Sequence, residues 1–277
     1  MGSRSFISLN MAAVMFTFVC LLSFTVTAEV LKIGGTGGDL GSMKLLGTAF
    51  EKTHPDVKVQ VLPSLGSGGG VRAVLTGVID LGLSSRPLKK KEKEAGALST
   101  AYAKTSLVFA VSESSPVNAV TTSEVVDIYA GRRTAFNDGT PIRISLRPKN
   151  DTDTAMLLKY IKGMTEADAI ARQRIGVPTA YNDQKMVDFL EQTPGAFGPT
   201  SMSIIRGEQR QLKALSLDGV MPSSTSLING EYPLVKTYFF VTTSSTSKLV
   251  KSFMDFIYTP AATALLEDLG HQILVNK

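Results

Sequence analysis

The sequence predicts an α/β protein in which strands alternate with helices. Residues 29–33, 57–62 and 79–83 have the alternating or short apolar pattern of β-strands. Each strand is followed by a loop rich in Gly, Ser or Thr, and the first two loops lead directly into segments with helical apolar spacing. Because loops at the carboxyl ends of strands gather along one edge of an open α/β sheet, these loops are expected to line one ligand site.

The N-terminal residues are expected to be an export signal. Arg4 provides a positive start, residues 11–24 are apolar, and Val26-Thr27-Ala28 places small residues where a signal peptidase cuts. Residues 1–28 are therefore predicted to be a signal peptide, and the mature protein is expected to be periplasmic. The apolar run is short for a membrane span, and a retained anchor is the alternative.

Composition disfavours several classes of protein. The chain of 277 residues has a formal net charge of +5, which becomes +4 when residues 1–28 are removed, because Arg4 is the only charged residue among them. It has no tryptophan and no large Lys/Arg block, so no nucleic acid partner is expected. The only cysteine, Cys20, lies in the predicted signal, so the mature chain would contain no thiol and no disulfide.

The first two loops have the composition of helix starts. After the strand at residues 29–33, the turn Gly34-Gly35-Thr36-Gly37-Gly38-Asp39 precedes a predicted helix at 40–52. After the strand at 57–62, the loop Gly66-Ser67-Gly68-Gly69-Gly70 precedes a helix predicted to begin near Val71. Glycines bring backbone N–H groups close to a ligand, and a helix start is positively polarised, so this loop is expected to bind an anion. A plain connection is the alternative.

Two further junctions have the same arrangement. The strand at residues 79–83 ends in Ser84-Ser85-Arg86-Pro87, and the mixed charge run at 89–94 is predicted to be a solvated helix. The strand at 142–146 leads into residues 147–154, which carry one arginine and two threonines before a predicted helix. Such a loop can bind an oxyanion through a guanidinium and hydroxyl donors.

The remaining pattern predicts more of both element types. Predicted strands are residues 106–111, 212–217, 232–242 and 272–275. Predicted helices are one capped by Thr122 or Ser123 and those at residues 184–192, 247–258 and 260–269.

Three segments in this order and spacing resemble the phosphate-binding proteins of bacterial ABC transporters. They are Gly66-Ser67-Gly68-Gly69-Gly70-Val71, Val78-Ile79-Asp80-Leu81-Gly82-Leu83-Ser84-Ser85-Arg86-Pro87-Leu88 and Pro194-Gly195-Ala196-Phe197-Gly198. The resemblance implies a type II periplasmic-binding-protein fold, with two α/β lobes joined by two crossing strands and an anion between them. It implies that residues 29–111 and 234–277 form one lobe and that residues 112–233 form the other.

The family's binding residues match this sequence unevenly. Ser67 and Arg147 match in type. The resemblance places the family's first-loop threonine and following amide on Asp39 and Leu40, and its anion-facing aspartate on Ser85. Its Ser-Gly-Thr falls on residues 152–154, or on residues 151–153 if the loop carries no insertion; the first alignment keeps both hydroxyls. The predicted anion-binding residues are Asp39, Leu40, Ser67, Gly68, Ser84, Ser85, Arg86, Arg147, Thr152, Asp153 and Thr154.

Selectivity for phosphate over sulfate requires a hydrogen-bond acceptor, because only phosphate carries a proton at neutral pH. With a serine at the position of the family's aspartate, we expect Asp39, Asp151 or Asp153 to be that acceptor. Helix capping is the alternative role for Asp39 and Asp151. Arg86 could add a second cation.

No enzyme chemistry is expected, because only two histidines, His54 and His271, are present and no metal-ligand spacing or Walker motif occurs. The resemblance instead implies a monomeric solute-binding protein without a cofactor, which captures a tetrahedral oxyanion, most simply inorganic phosphate, and delivers it to an ABC transporter permease in the inner membrane. Two alternatives stay open: a different anion (sulfate, molybdate, tungstate or a small organic anion), and signalling of the closed state to a membrane receptor.

Overall fold

A computed structural model describes residues 28–274 of the chain. The predicted signal peptide lies outside the described residues except for Ala28, so its cleavage stays a prediction. Between residues 28 and 274, no helix has both the length and the apolar character needed to cross a bilayer.

Strands and helices alternate along most of the described chain. The strands are β1 (Glu29–Gly35), β2 (Val57–Val61), β3 (Leu81–Ser84), β4 (Leu98–Ser112), β5 (Ala119–Val120), β6 (Arg143–Ile144), β7 (Ala196–Ser201), β8 (Leu212–Ala214), β9 (Ser216–Leu217), β10 (Val235–Thr242) and β11 (His271–Ile273). The helices are α1 (Leu40–Thr53), α2 (Gly66–Leu75), α3 (Lys90–Glu94), α4 (Thr122–Tyr129), α5 (Thr152–Tyr160), α6 (Met164–Ala171), α7 (Asp183–Gln192), α8 (Met202–Gly207), α9 (Ser224–Ile228), α10 (Lys248–Phe256) and α11 (Pro260–Asp268), and a 3-10 turn covers Gly37–Asp39.

One sheet runs through the molecule in the order β2-β1-β3-β10-β4-β7-β6, and β8 and β11 also pair with β4. β1 is parallel to β2 and β3, whereas β10 is antiparallel to β3 and β4. β4 and β10 pair from Ser106 and Val235 at one end to Leu98 and Thr242 at the other. The far end of β4 pairs with β7 and β8, so this 15-residue strand crosses from one half of the sheet to the other.

Buried apolar side chains form two large cores. One core uses side chains from residues 31–103 and 238–266, and the part of the molecule around it is called lobe 1. The other uses side chains from residues 107–234 and defines lobe 2. The predicted two-lobed α/β fold with two crossing strands is thus confirmed. The lobe boundaries predicted at residues 111 and 234 stay a proposal, which the division between the two cores supports.

The glycine-rich loop differs from its prediction. Helix α2 begins at Gly66, not near Val71, so Ser67 and Gly68 lie in its first turn. Glycine is a poor helix former, so tertiary packing must favour this conformation. A Cβ atom on Gly70 would lie 2.7 Å from the Cα of Gly35, which shows how closely α2 packs against the end of β1.

Several element bounds also differ from the sequence-based prediction. The segment at 142–146 is a strand only over Arg143–Ile144, and the one at 212–217 divides into β8 and β9. The cap of α4 is Thr121, whose Oγ1 accepts a hydrogen bond from the backbone N–H of Glu124 at 3.2 Å. These differences are of one to a few residues, because local periodicity locates an element better than its ends.

Candidate functional site

A cavity of about 590 Å³ lies between residues of the two lobes. Lobe 1 contributes the turn after β1, the start of α2 and the segment that follows β3. Lobe 2 contributes residues of the segments 147–153 and 181–183, and Lys236 of the crossing strand β10 completes the wall. The cavity therefore lies beyond the carboxyl ends of β1, β2 and β3, where open α/β sheets bind ligands.

Three hydroxyl groups lie next to one another on the lobe 1 side of the cavity. The Oγ of Ser67 accepts a hydrogen bond from the backbone N–H of Ser85 at 3.0 Å and lies 3.1 Å from the Ser85 Oγ. The Oγ1 of Thr36 donates to the Ser85 Oγ at 3.3 Å. These residues meet because β1 pairs with β3 and α2 packs on both strands. Together with the N–H groups in the first turn of α2, they supply donors for an anion.

Arg147 is the buried cation of the lobe 2 side, with an exposed fraction of 4%. Its Nε and Nη2 donate to the two carboxylate oxygens of Asp151 at 3.2 and 2.8 Å, and its Nη1 donates to the carbonyl of Ala180 at 3.1 Å. Burial alone would lower the pKa of Arg147, but the carboxylates of Asp183, Asp151 and Asp153 outweigh that cost and raise it. The guanidinium is therefore charged and fixed in position.

A second buried cation, Lys236, forms an ion pair with Asp153. Both residues are almost fully buried, and burial by itself would lower the pKa of Lys236. The nearby charge of Asp153 reverses the shift and raises that pKa, so the ammonium stays protonated. Because Lys236 lies on β10 and Asp153 on α5, this pair connects the crossing strand to lobe 2.

Asp151 forms the start of α5 in addition to holding Arg147. One of its oxygens accepts a hydrogen bond from the backbone N–H of Asp153 at 3.0 Å, which caps the helix. Burial and the charge of Asp153 raise the pKa of Asp151, although Arg147 acts in the opposite direction. The capping role considered for Asp151 is therefore present, together with an ion pair.

The rim of the cavity carries a further ion pair and several exposed cations. Arg86 donates to Glu92 through Nη1 at 2.9 Å and Nη2 at 2.7 Å, and this hydrogen-bonded pairing lowers the pKa of Glu92 to about 2. Arg72, Lys89 and Lys91 also line the cavity. A basic rim of this kind raises the local concentration of anions and speeds their entry.

The structure brings together only part of the predicted set of binding residues. Those that line the cavity are Ser67, Gly68, Ser85, Arg86, Arg147, Thr152 and Asp153. Those that it places outside the cavity wall are Asp39, Leu40, Ser84 and Thr154. A binding role for the first group stays a prediction, and the second group does not line the cavity.

Asp39 occupies a buried polar cluster behind the cavity. The hydroxyl of Tyr102 donates a hydrogen bond to Asp39, and the Nε2 of His271 lies 3.2 Å from the other carboxylate oxygen. The same Nε2 lies 2.9 Å from the Oγ of Ser42. Burial and the Asp39 charge raise the pKa of Tyr102 well above its ordinary value. Asp39 thus makes internal contacts of lobe 1 and does not line the cavity.

The other three predicted residues outside the cavity wall, Leu40, Ser84 and Thr154, make contacts elsewhere in their own lobes. Leu40 lines a separate groove beside α1. Ser84 is fully buried, and its Oγ donates to the backbone carbonyl of Arg86 at 2.7 Å, which shapes the loop after β3. Thr154 follows Thr152 by two positions on α5, and residues two apart on a helix point in different directions. The second threonine is therefore buried against lobe 2.

Among the cavity residues that were not predicted as ligands from the sequence, three carry side chains suited to contact an anion or its partners: Thr36, Asp183 and Lys236. Thr36 immediately follows β1 in the first glycine-rich turn, where its position at a strand end was a usable signal. Asp183 begins α7 directly after the cap residue Asn182. Lys236 is a charged residue within the strongly apolar strand β10, which is an unusual place for a lysine.

Among the residues that the structure describes, no three His, Cys, Asp or Glu side chains are arranged to hold a metal ion. The histidines instead make internal contacts: His54 stacks on Phe50 at a ring separation of 3.8 Å, and His271 belongs to the Asp39 cluster.

Two α/β lobes joined by crossing strands around a polar cavity define a type II periplasmic binding protein. A crystal structure of a protein from Clostridium perfringens with bound phosphate matches at a TM-score of 0.75 and 21% identity, covering 89% of this chain and 100% of that chain. The Azotobacter vinelandii periplasmic molybdate-binding protein matches at a TM-score of 0.61 and 17% identity, covering 89% of this chain and 100% of that chain. Similarity at these identities establishes the fold.

The chain belongs to the PBP superfamily domain family, whose model matches residues 23–261. Protein SphX of Synechococcus elongatus is 29% identical over 244 residues, which are 80% of this chain and 70% of the relative. The phosphate-binding protein PstS of Bacillus subtilis is 27% identical over 215 residues, which are 75% of this chain and 68% of the relative. The resemblance stated from the sequence is confirmed.

Proposed function

We propose that this protein is an extracytoplasmic solute-binding protein that captures phosphate between its lobes and delivers it to an ABC transporter permease. The observation that carries the proposal is the opposition of two kinds of donor across one cavity. Thr36, Ser67 and Ser85 face it from lobe 1, and the buried Arg147 faces it from lobe 2. A tetrahedral anion has oxygens pointing in both directions, so it can accept hydrogen bonds from both lobes at once.

The chemistry of the cavity wall fits an oxyanion better than an uncharged solute. Hydrogen bonds from hydroxyl and amide groups to a charged oxygen are stronger than those to a neutral one. Arg147 donates three of its five N–H groups to protein oxygens, which leaves two for a ligand. The bacterial relatives named for phosphate binding, including PstS of Bacillus subtilis, support the choice of phosphate.

Binding without catalysis and a location outside the cytoplasm are parts of the same proposal. The family is one of substrate-binding proteins, and the cavity is lined by groups that hold an anion in place. Export would depend on the predicted signal at residues 1–28. Ligand-driven closure of the lobes would give the permease a form that it can distinguish from the open one.

Calorimetric titration of the ligand-stripped protein with phosphate, sulfate and molybdate tests the binding step. We expect saturable heat with phosphate at a stoichiometry of one. An absence of heat with all three anions would contradict the proposal. The delivery step is tested by the neighbouring genes, because adjacent permease and ATPase genes are expected for a transport protein, whereas an adjacent sensor-kinase gene would indicate signalling.

A further inference from the structure

The buried end of the cavity holds more negative charge than an anion site requires. Three carboxylates, those of Asp151, Asp153 and Asp183, surround the two cations Arg147 and Lys236. A carboxylate beside a bound anion is unfavourable unless it is neutralised or accepts a hydrogen bond from the ligand. Each of these three carboxylates must therefore be neutralised by the protein or accept a hydrogen bond from the ligand.

Two of the three carboxylates are neutralised by contacts within the protein. Asp151 accepts two hydrogen bonds from Arg147 and one from the backbone N–H of Asp153. Asp153 is paired with the buried ammonium of Lys236. The oxygens of Asp151 are therefore occupied by three hydrogen bonds, and the charge of Asp153 is balanced by the buried ammonium of Lys236.

Asp183 differs from both. Its exposed fraction is 8%, it lines the cavity, and its nearest cation is the Nη2 of Arg147 at 3.5 Å. Within residues 28–274, no donor lies within hydrogen-bonding geometry of its carboxylate. Asp183 is thus a residue more than nine-tenths buried whose carboxylate faces the cavity and accepts no hydrogen bond from the described chain.

The position of Asp183 at the start of α7 does not account for this arrangement. The cap of that helix is Asn182, whose Oδ1 accepts a hydrogen bond from the backbone N–H of Lys185 at 2.8 Å. Asp183 instead projects toward lobe 1. A Cβ atom built on Gly37 would lie 2.7 Å from its Oδ2, and Gly37 is adjacent to Thr36 of the hydroxyl cluster.

We propose that Asp183 is the specificity-determining residue of this site, which accepts a hydrogen bond from an oxyanion that carries a proton and repels one that does not. The inference rests on the proposed function. It assigns the acceptor to Asp183 of lobe 2, whereas the family's aspartate falls on Ser85 of lobe 1 and the sequence favoured Asp39, Asp151 or Asp153. A serine hydroxyl can donate or accept, so Ser85 cannot separate protonated from fully ionised anions. A carboxylate can only accept when ionised, and it therefore penalises sulfate.

The test compares four anions at pH 7.5 by calorimetry. Phosphate and arsenate carry a proton at this pH, whereas sulfate and molybdate do not. We expect the wild-type protein to prefer the first pair. In Asp183→Asn the preference for phosphate over sulfate should fall by about 10- to 100-fold, because a charge-assisted hydrogen bond is lost and a repulsion is removed.

Two control variants separate hydrogen bonding from simple charge. Asp151→Asn removes the same charge from a neighbour of the same arginine, so it should shift the affinities for phosphate and sulfate in parallel and leave their ratio unchanged. Asp188 lies on the same helix and contacts Arg210, away from the cavity. The variant Asp188→Asn should therefore leave both affinities unchanged.

The outcomes distinguish this inference from the proposed function. An unchanged phosphate-to-sulfate ratio in Asp183→Asn would overturn the role of Asp183 while leaving phosphate binding in place. Equal affinity of the wild-type protein for phosphate and sulfate would overturn it without any variant. If no anion binds the wild-type protein, the proposed function itself fails. Should Asp183→Asn not fold, Asp183→Ser removes the same carboxylate and provides the same comparison.

Discussion

At the level of single residues, Arg147 shows how a buried charge can be both stabilised and available for binding. Asp151 holds the guanidinium through two hydrogen bonds, and the carbonyl of Ala180 holds a third N–H group. These contacts offset the cost of burying the charge and fix the direction of the remaining donors. A site that is ordered before the ligand arrives pays less entropy on binding.

Replacement of Arg147 by alanine should therefore have a large effect. We expect Arg147→Ala to weaken phosphate binding by about 100-fold or more, because it removes a charged donor and leaves Asp151 and Asp183 unpaired near the anion. Calorimetric titration measures the change. The control is Arg132→Ala, which alters an exposed ion pair with Asp127 and should leave the affinity unchanged. An unaltered dissociation constant in Arg147→Ala would remove this residue from the site.

At the level of secondary-structure elements, the start of α2 depends on glycines that serve different purposes. Gly70 allows the helix to approach the sheet, since an added Cβ would lie 2.7 Å from the Gly35 Cα and 3.1 Å from the Leu83 carbonyl oxygen. At Gly68 the nearest atom to an added Cβ is 3.7 Å away, which is ordinary contact. Close packing is therefore required at one position and not at the other.

These two glycines give a matched pair of variants. Gly70→Ala should lower the free energy of unfolding by about 1–3 kcal/mol, because the extra methyl group displaces α2 from β1. Gly68→Ala should keep the stability or raise it by up to about 1 kcal/mol, since alanine is the better helix former. Urea denaturation followed by circular dichroism measures both. Equal destabilisation by the two variants would show that α2 does not pack as described.

The ion pair between Arg86 and Glu92 connects the end of β3 to helix α3, and it makes stability depend on pH. Hydrogen bonding to Arg86 lowers the pKa of Glu92 from 4.5 to about 2 in the folded protein. Its contribution is present above pH 4.5 and is lost as the pH falls from there toward about 2.

Glu92→Gln should therefore cost on the order of 1 kcal/mol at pH 7 and less at low pH, because the pair is partly open to solvent. Denaturation at pH 7 and pH 3 measures the difference between the two proteins. Glu94→Gln, an exposed position on the same helix, is the control and should have no effect at either pH. A pH-independent difference for Glu92→Gln would rule out this ion pair as the cause.

At the level of the whole molecule, the two lobes meet behind the cavity through contacts that require a glycine. The Nε2 of Gln184 in lobe 2 donates to the carbonyl of Gly37 in lobe 1 at 3.1 Å. An added Cβ on Gly37 would lie 2.6 Å from the Gln184 Oε1 and 2.7 Å from the Asp183 Oδ2. Any side chain at position 37 would therefore hold the lobes apart.

Gly37→Ala is expected to weaken phosphate binding by about 5- to 100-fold, in line with an overpacking cost of roughly 1–3 kcal/mol in the closed form. Each lobe should stay folded, because residue 37 is not in a left-handed conformation. Small-angle scattering should show a larger radius of gyration for the variant in the presence of phosphate. Wild-type affinity together with a wild-type radius would contradict the role of this contact in closure.

The sequence by itself determined the alternation of strands and helices, the crossing strands and the loops that carry Ser67, Ser85 and Arg147. Those features depend on local periodicity and on turn composition, which neighbouring residues specify. Only the tertiary structure decided that Asp39 pairs with Tyr102 and that Asp183 faces the cavity. The direction of a side chain at a helix start depends on partners far away in sequence, and local patterns contain no information about those partners.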